Sequence, residues 1–487
     1  MITASSRVGY RSLLRNRWFL RLWLAQLISQ TIQNAANYGL LVLIAETTGS
    51  STLIGLGIIA FSLPAVFFAV PAGVLVDRIN RRQVLWMSNL LRGLFAFGFV
   101  ASLLIDRNDV VPIYLLTFLI AVVSQFFTPA EGAAIPVLVD ERELVNALSL
   151  FNITFTLSQA LGFILLGPVI LNVVAPVTLM VVGASVTFDA VQVLYLVIGL
   201  AYLLCAALIL WLPNRQFELE RSAVQGASSL ARVKKLVAEI NESWRFVYRD
   251  RRLLIAILQL SFGSIILLVI GQLAPKFVQQ LLNRPPANAA LVFVPAGIGL
   301  VIGSAVMPRV VKRLGKARSI SVGIIGVSIT SVLLVICQRV ARQMDPDHWF
   351  NDPAFLGLIL LLVFILGCEL GLMTIPAQTV MQERTPDALK GRVLALQMLV
   401  YNAVSIPVIL FMGGVADIYD IAVVMGVLAV TVFVGGLFSV YLDSRVLAEP
   451  GASERKGPPS GAQAAGQHEQ RELEPLMQGE VYQQAPH

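Results

Sequence analysis

The sequence predicts an all-α integral membrane protein of twelve transmembrane helices in two six-helix, pseudo-symmetric bundles. Three observations carry that expectation. Apolar residues make up 57% of the 487-residue chain and charged residues only 13%. The apolar residues fall in runs long enough to cross a bilayer, and the basic residues between the runs are divided unequally between the two sides. A soluble chain carries about a quarter charged residues. Lipid must therefore solvate much of this one.

A helix needs about 20 apolar residues to cross the hydrocarbon core. Such runs lie at about 18–46, 53–76, 83–105, 111–130, 144–172, 190–212, 253–282, 289–308, 319–338, 354–379, 392–415 and 420–442. The organisation that follows is an N-terminal segment 1–17, a first bundle 18–212, a linker 213–252, a second bundle 253–445 and a tail 446–487. With the N-terminus inside, 30 of the 36 Lys and Arg fall in inner segments, while Arg107, Lys276, Arg284, Arg339 and Arg342 fall outside. That asymmetry predicts an even number of crossings with both termini cytoplasmic, in a bacterial-type plasma (inner) membrane.

In the linker, Leu230, Val233, Leu236, Val237, Ile240, Trp244 and Val247 recur at helical spacing among Arg232, Lys234, Lys235, Arg245 and Arg249. This pattern predicts an amphipathic helix on the inner membrane face. The tail is rich in Gln, Glu, Gly and Pro and has little to bury, so it is expected to be disordered. Segment 173–189 is apolar but β-branched and interrupted, which suits an ordered outer loop.

Several function classes fall away. The net charge of +7 sits between apolar blocks, where it sets topology rather than binding nucleic acid. Cys205, Cys337 and Cys368 lie within or at the ends of apolar runs, so neither a disulfide framework nor a Cys-rich metal site is expected. His348, His468 and His487 lie outside the runs, which removes an intramembrane histidine relay. The first apolar run is too long for a cleavable signal peptide and lacks an A-x-A site. No GxxxxGK[ST] phosphate loop is present. Neither is a paired-carboxylate, His–Glu or Ser–Lys constellation at membrane depth. The expectation is a protein that is not an enzyme and needs no cofactor.

The connection between runs two and three reads Gly73-Val-Leu-Val-Asp77-Arg78-Ile-Asn80-Arg81-Arg82. Gly73 would let helices approach closely. Asp77 at a helix end can meet a helix N-terminus or an arginine, and the arginines hold the loop at the inner surface. An ordinary basic turn would explain the arginines but not Gly and Asp at these offsets. A degraded copy, Pro308-Arg309-Val-Val-Lys312-Arg313-Leu-Gly315-Lys316, stands between runs eight and nine, with Lys312 in the place of Asp77. Pro129-Ala130 with Asp140 recurs at the same spacing as Pro376-Ala377 with Asp387. These echoes suit two parallel repeats.

On these residues the chain resembles the major facilitator superfamily, whose signature loop is G-x-L-x-D-R-x-G-R-R, over about residues 15–445. Asn80 replaces the usual glycine, and asparagine tolerates the positive φ such a turn would need. The stretch beginning at Pro376, with FFTPAEGAAIP in the first half, resembles the branch of enterobactin and macrolide exporters, drug:proton antiporters. Gly162 and Gly167-Pro168 partly match the antiporter motif of such exporters and would bend or loosen span 5.

The resemblance implies alternating access around a cavity lined by spans 1, 4, 7 and 10. Span 1 offers Gln26, Gln30, Gln33, Asn34 and Asn37, an amide stripe that reads either as cavity lining or as an interhelical hydrogen-bond seam. Span 4 adds Ser124, Gln125 and Thr128, span 7 Gln259, Ser261 and Ser264, and span 10 Thr374 and Gln378. A cavity rich in amides and hydroxyls suits a sizeable amphipathic solute better than a sugar phosphate, which calls for clustered arginines.

Glu369 is the most deeply placed carboxylate. It can exchange a proton or meet a cationic substrate, or simply bond a neighbouring helix. Arg92 reads as structural, its long side chain snorkelling inward. Glu131 and Asp189 read as interfacial, as solvated helix ends or else as gate partners. By resemblance, Gly73, Asp77, Arg78, Arg81, Arg82 and Arg392 form an inner gate. The expected function is proton-coupled efflux of a drug-like or siderophore-like small molecule by a monomer in contact with lipid. An importer or lipid flippase on the same fold, or a non-transporting receptor or assembly factor, stands as the alternative.

Overall fold

Long apolar runs that end at polar caps fold here as twelve long helices. They are α1 Arg17–Thr48, α2 Ser51–Val76, α3 Arg81–Ile105, α4 Val110–Leu138, α5 Glu141–Val173 and α6 Ala190–Leu210. The second six are α7 Arg251–Leu281, α8 Ala290–Leu314, α9 Lys316–Met344, α10 Pro353–Arg384, α11 Lys390–Ile418 and α12 Ile421–Ala448. The computed structural model describes residues 10–76, 79–181, 184–214, 242–345, 349–386 and 389–448. Asp77, Arg78, most of the linker and the tail from 449 lie outside the described residues.

The caps explain where each span stops. Asn16 accepts from the backbone N–H groups of Trp18 and Phe19 to start α1, which ends at Gly49 with φ 64°. Asp109, Asp189, Asp250 and Asp352 cap α4, α6, α7 and α10 in the same way. Such polar groups belong where the chain leaves hydrocarbon for water.

Among the described residues, eleven helices are apolar enough to cross a membrane on composition alone. The twelfth is α1, 32 residues long, whose amides dilute its hydropathy. Equivalent helices pack together in the two halves: α2 with α4 and α3 with α4 in the first, α8 with α10 and α9 with α10 in the second. Pro129 and Pro376 fall inside α4 and α10, and the alanines that follow them are both fully buried.

Two details depart from the sequence reading. Segment 173–189 contains a two-stranded antiparallel hairpin, β1 Val177–Val181 and β2 Ala184–Phe188, with Thr178 facing Thr187. Its β-branched residues favour that pleated form. Within α5, residues Leu161–Leu166 are π-helical. Of the linker's amphipathic stretch only 242–249 is described; it is helical, with Val247 buried and Trp244 exposed. The described residues up to Ser439 form one compact unit.

Candidate functional site

The two halves meet most tightly at the end carrying the α1–α2, α7–α8 and α11–α12 connections. Asp417, in the last turn of α11, accepts from the backbone N–H of Thr52 at 3.0 Å, from that of Ser51 and from the Ser50 hydroxyl at 2.6 Å. Those donors belong to the first turn of α2, whose N–H groups carry the positive end of the helix dipole. Gln272 of α7 is fully buried and donates to the Ser51 and Ile409 carbonyls at 2.9 and 3.0 Å. Tyr38 of α1 donates to the Ala287 carbonyl at 2.6 Å and accepts from the Ala290 N–H at the start of α8. Its ring packs edge-on against Phe163 of α5 and Phe293 of α8. Between described residues, every inter-half hydrogen bond lies at this end.

Glycines act as calipers of the closure. A Cβ on Gly55 of α2 would sit 2.7 Å from the Gln272 amide, and one on Gly413 of α11 2.8 Å from both that amide and Thr52 Cα. At the opposite end, Gly73, Gly132 and Gly391 have nothing within 4 Å of that position. Thr128 of α4 and Gln378 of α10 are exposed. Among the described residues, contacts between the halves close one end, and these glycine positions are unfilled at the other.

At the open end the structure corrects the reading of the signature loop. Among the described residues nothing lies within 4 Å of a Cβ placed at Gly73, so Gly73 does not mark a close helix approach there. Asn80 has φ −62° and ψ 117°, so it needs no left-handed turn. It is instead the N-cap of α3, accepting from the Arg82 N–H at 3.0 Å. Arg81 donates to the Ala133 carbonyl, Arg82 to the Leu210 carbonyl, and Arg392 pairs with Glu242 at 3.2 Å. Ala133 and Leu210 both lie within the first half, where Arg82 satisfies a carbonyl at the C-terminal end of α6.

The α1 amide stripe behaves largely as a seam. Gln26 is buried, with its amide against the Glu131 carboxylate of α4; the nitrogen, turned to donate, lies 2.7 Å from Oε2. Gln33 accepts from the Tyr202 hydroxyl of α6 at 2.8 Å. Asn37 borders a small cavity inside the first half with Phe61, Thr117 and Tyr195. Asn34 bonds its own helix, and its Cβ packs where Gly162 of α5 leaves room. Gln30 is half-buried and has no side-chain partner among the described residues. Gln125 donates weakly to the Ala121 carbonyl, Gln259 is buried, and Gln378 is exposed. The physical reason is that Gln26 and Gln33, at membrane depth, each meet a polar side chain of another helix in their own half.

The ionisable residues are placed differently from the expectation. Glu131 is 6% exposed, a buried group rather than a solvated helix end. Arg92 is 3% exposed and does not snorkel; it donates to Ser29 Oγ at 3.1 Å and lies over the Phe127 ring at 4.5 Å. Glu369 faces α9, not the region between the halves: Thr330 donates to it at 2.9 Å, and Gly326 leaves room for its carboxyl. Asp189 is interfacial as expected, capping α6 and pairing with Arg107 at 2.8 Å.

The sequence profile of the Major Facilitator Superfamily matches residues 22–408. The chain belongs to that superfamily. The MFS-type transporter YfiS of Bacillus subtilis (strain 168) is 24% identical over 393 residues, covering 80% of this chain and 84% of the relative. Macrolide efflux protein A of Streptococcus pyogenes is 26% identical over 189 residues, 37% of this chain and 46% of that protein. Among solved structures, the nucleoside transporter NupG superposes with a TM-score of 0.65 at 13% identity, over 87% of this chain and 98% of that one. A bacterial homologue of the human lysosomal transporter Spinster, solved in an inward-facing and unoccupied conformation, gives 0.62 at 11% identity, over 93% and 100%.

These structural likenesses establish the superfamily fold. They leave the closed-end contacts to be read from this chain itself. Sequence reasoning missed Asp417, Gln272 and Tyr38. A signal for the first was present: Gly413-x-x-x-Asp417 repeats the spacing of Gly73-x-x-x-Asp77. Gln272 and Tyr38 sit singly in apolar surroundings, and nothing in the pattern marks them.

Proposed function

We propose that this superfamily member is a secondary active transporter that works by alternating access and exports an amphipathic small molecule in exchange for protons. It would act as a monomer in a bacterial inner membrane, with both termini cytoplasmic. The observation that carries the reading is that the inter-half hydrogen bonds between described residues lie at one end. Under the positive-inside orientation the closed end is the outer one, and the conformation is inward-open. A solute would enter from the cytoplasm between Gln125 and Thr128 of α4 and Gln378 of α10. Closing of the wide end around Asp77, Arg78, Arg81, Arg82 and Arg392, with release of the Asp417 contacts, would then expose it outside. Efflux rather than uptake is supported by the resemblance to the macrolide exporter over part of the chain.

The test is expression in a pump-deficient bacterial host, with accumulation of radiolabelled erythromycin and of a siderophore measured with and without a protonophore. Export predicts lower accumulation of at least one of them, restored by the protonophore. Unchanged accumulation of both would remove this substrate class, and lower accumulation indifferent to the protonophore would remove the proton. Raised accumulation would reverse the direction.

A further inference from the structure

Four helices of the first half enclose a polar pocket that alternating access alone does not require. Glu131 enters it from α4, Gln26 and Ser29 from α1, Asn89 and Arg92 from α3, and Tyr202 from α6. Arg92 is held by Ser29 and sandwiched against the Phe127 and Tyr202 rings, yet its Nε has no partner. The titratable groups that face one another here are Glu131, Arg92, and Tyr202 and Cys205 of α6; α1 contributes the uncharged Gln26 and Ser29. Among the described residues neither Glu131 nor Arg92 takes part in an ion pair. A buried acid and a buried base thus stand close without being joined.

We propose that Glu131, held between Gln26 and Arg92, is the proton-binding site of the transport cycle, with Arg92 as its positioning counterion; this rests on the proton-coupled reading above. Three features suit the role. The Gln26 amide serves both forms of the acid, because its carbonyl accepts from a protonated carboxyl and its NH2 donates to a carboxylate. Arg92 supplies an internal cation for the ionised form, which a buried carboxylate needs. Thr128 and Gly132, on either side of Glu131 along α4, are exposed, and that turn would be the route by which water reaches the acid.

On deprotonation the carboxyl O–H bond breaks and the proton passes to that water. The electron pair stays on the carboxylate, which then accepts from Gln26 or Arg92. Because Gln26 lies on the α1 stripe with Gln30, the switch acts on a helix expected to border the solute route.

Glu369 is the rival, and its surroundings differ. It is anchored by Thr330 alone, and its second oxygen is buried without a partner or a cation. In the repeat alignment that pairs Pro129 with Pro376, Glu131 corresponds to the exposed Gln378. The pocket is therefore peculiar to the first half.

The test uses the full chain in liposomes and infrared difference spectra over a pH titration, reading the carbonyl stretch of a protonated, desolvated carboxyl. The expected result is one titrating band that is lost in Glu131→Gln, shifted in frequency in Glu131→Asp and unchanged in Glu369→Gln. The aspartate variant keeps the test decisive where the glutamine variant fails to fold. A band that survives Glu131→Gln, is unmoved in Glu131→Asp, disappears in Glu369→Gln or is absent from the wild type overturns the assignment. In parallel, pH-gradient-driven uptake of radiolabelled erythromycin into wild-type inverted vesicles checks the underlying reading. Its failure beside a Glu131-dependent band would overturn coupling to that solute, not the proton site.

Discussion

Helices α2 and α11 run antiparallel, and their two ends differ. At the closed end the Asp417 carboxylate of α11 sits on the first turn of α2, and Gly55 and Gly413 are filled by the opposite half. At the wide end Gly73 opens onto empty space, four residues before Asp77. A carboxylate at the end of its own helix meets the negative end of that helix's dipole, which is unfavourable. The N–H groups of the neighbouring helix offset this only when the two helices touch. At Asp417 the Gly-x-x-x-Asp spacing makes such a contact, and under alternating access the copy at Gly73 would make one only when its own end shuts. The glycine, not the acid, reports which end is shut.

The comparison breaks most directly at Gly413. In Gly413→Leu the new side chain meets Gln272 and Thr52, and overpacking of this kind costs about 1–3 kcal/mol. That is roughly a 5- to 150-fold shift toward the state with this end open. Spin labels at Asn108→Cys and Tyr419→Cys, with Cys205, Cys337 and Cys368 replaced by serine, read the distance across this end. It should lengthen, and transport should fall. An unchanged distance distribution would mean that Gly413 does not limit closure.

Gln272→Leu should act in the same direction with a smaller effect. It leaves the Ser51 and Ile409 carbonyls without their buried donor, at a cost of about 1–2 kcal/mol. Asp417→Asn comes below it. The carboxylate is exposed, solvent screens the loss, and the effect should be at most about 1 kcal/mol. The same label pair ranks the three variants. Asp417→Asn exceeding Gly413→Leu would show that charge, not packing, holds this end.

Much of this architecture was legible in the sequence because bilayer thickness and charge asymmetry act on whole segments. Each of the twelve predicted runs overlaps one helix, and the helices extend a few residues past several run ends to reach capping groups such as Asp109 and Asp250. The repeat was legible from Pro129-Ala130 and Pro376-Ala377, which fall at equivalent depths. Side-chain orientation was not. Gln26, Gln33 and Asn37 share a helical face, but periodicity cannot tell whether that face meets α4 and α6 or the opposite half. Glu131 lies near a span end in sequence, so it reads as solvated, whereas α4 continues to Leu138 and carries it inside.

The smallest effect separates two accounts of the signature loop. If position 80 needed a left-handed turn, as the family glycine suggests, Asn80→Gly would stabilise the loop and Asn80→Ala would strain it. The observed φ of −62° and the bond to the Arg82 N–H make Asn80 an N-cap instead. Asn80 also donates to Asn214 Oδ1 at 2.9 Å, which ties the start of α3 to the residues after α6. A cap lost to alanine costs about 1 kcal/mol, and one lost to glycine only a few tenths, because glycine still permits the cap backbone. Thermal unfolding in detergent should therefore rank wild type above Asn80→Gly and both above Asn80→Ala. A glycine variant more stable than the wild type would restore the turn account. Either ranking leaves the closed end untouched, since the bonds of Asn80 run to Arg82 and to Asn214 just after α6.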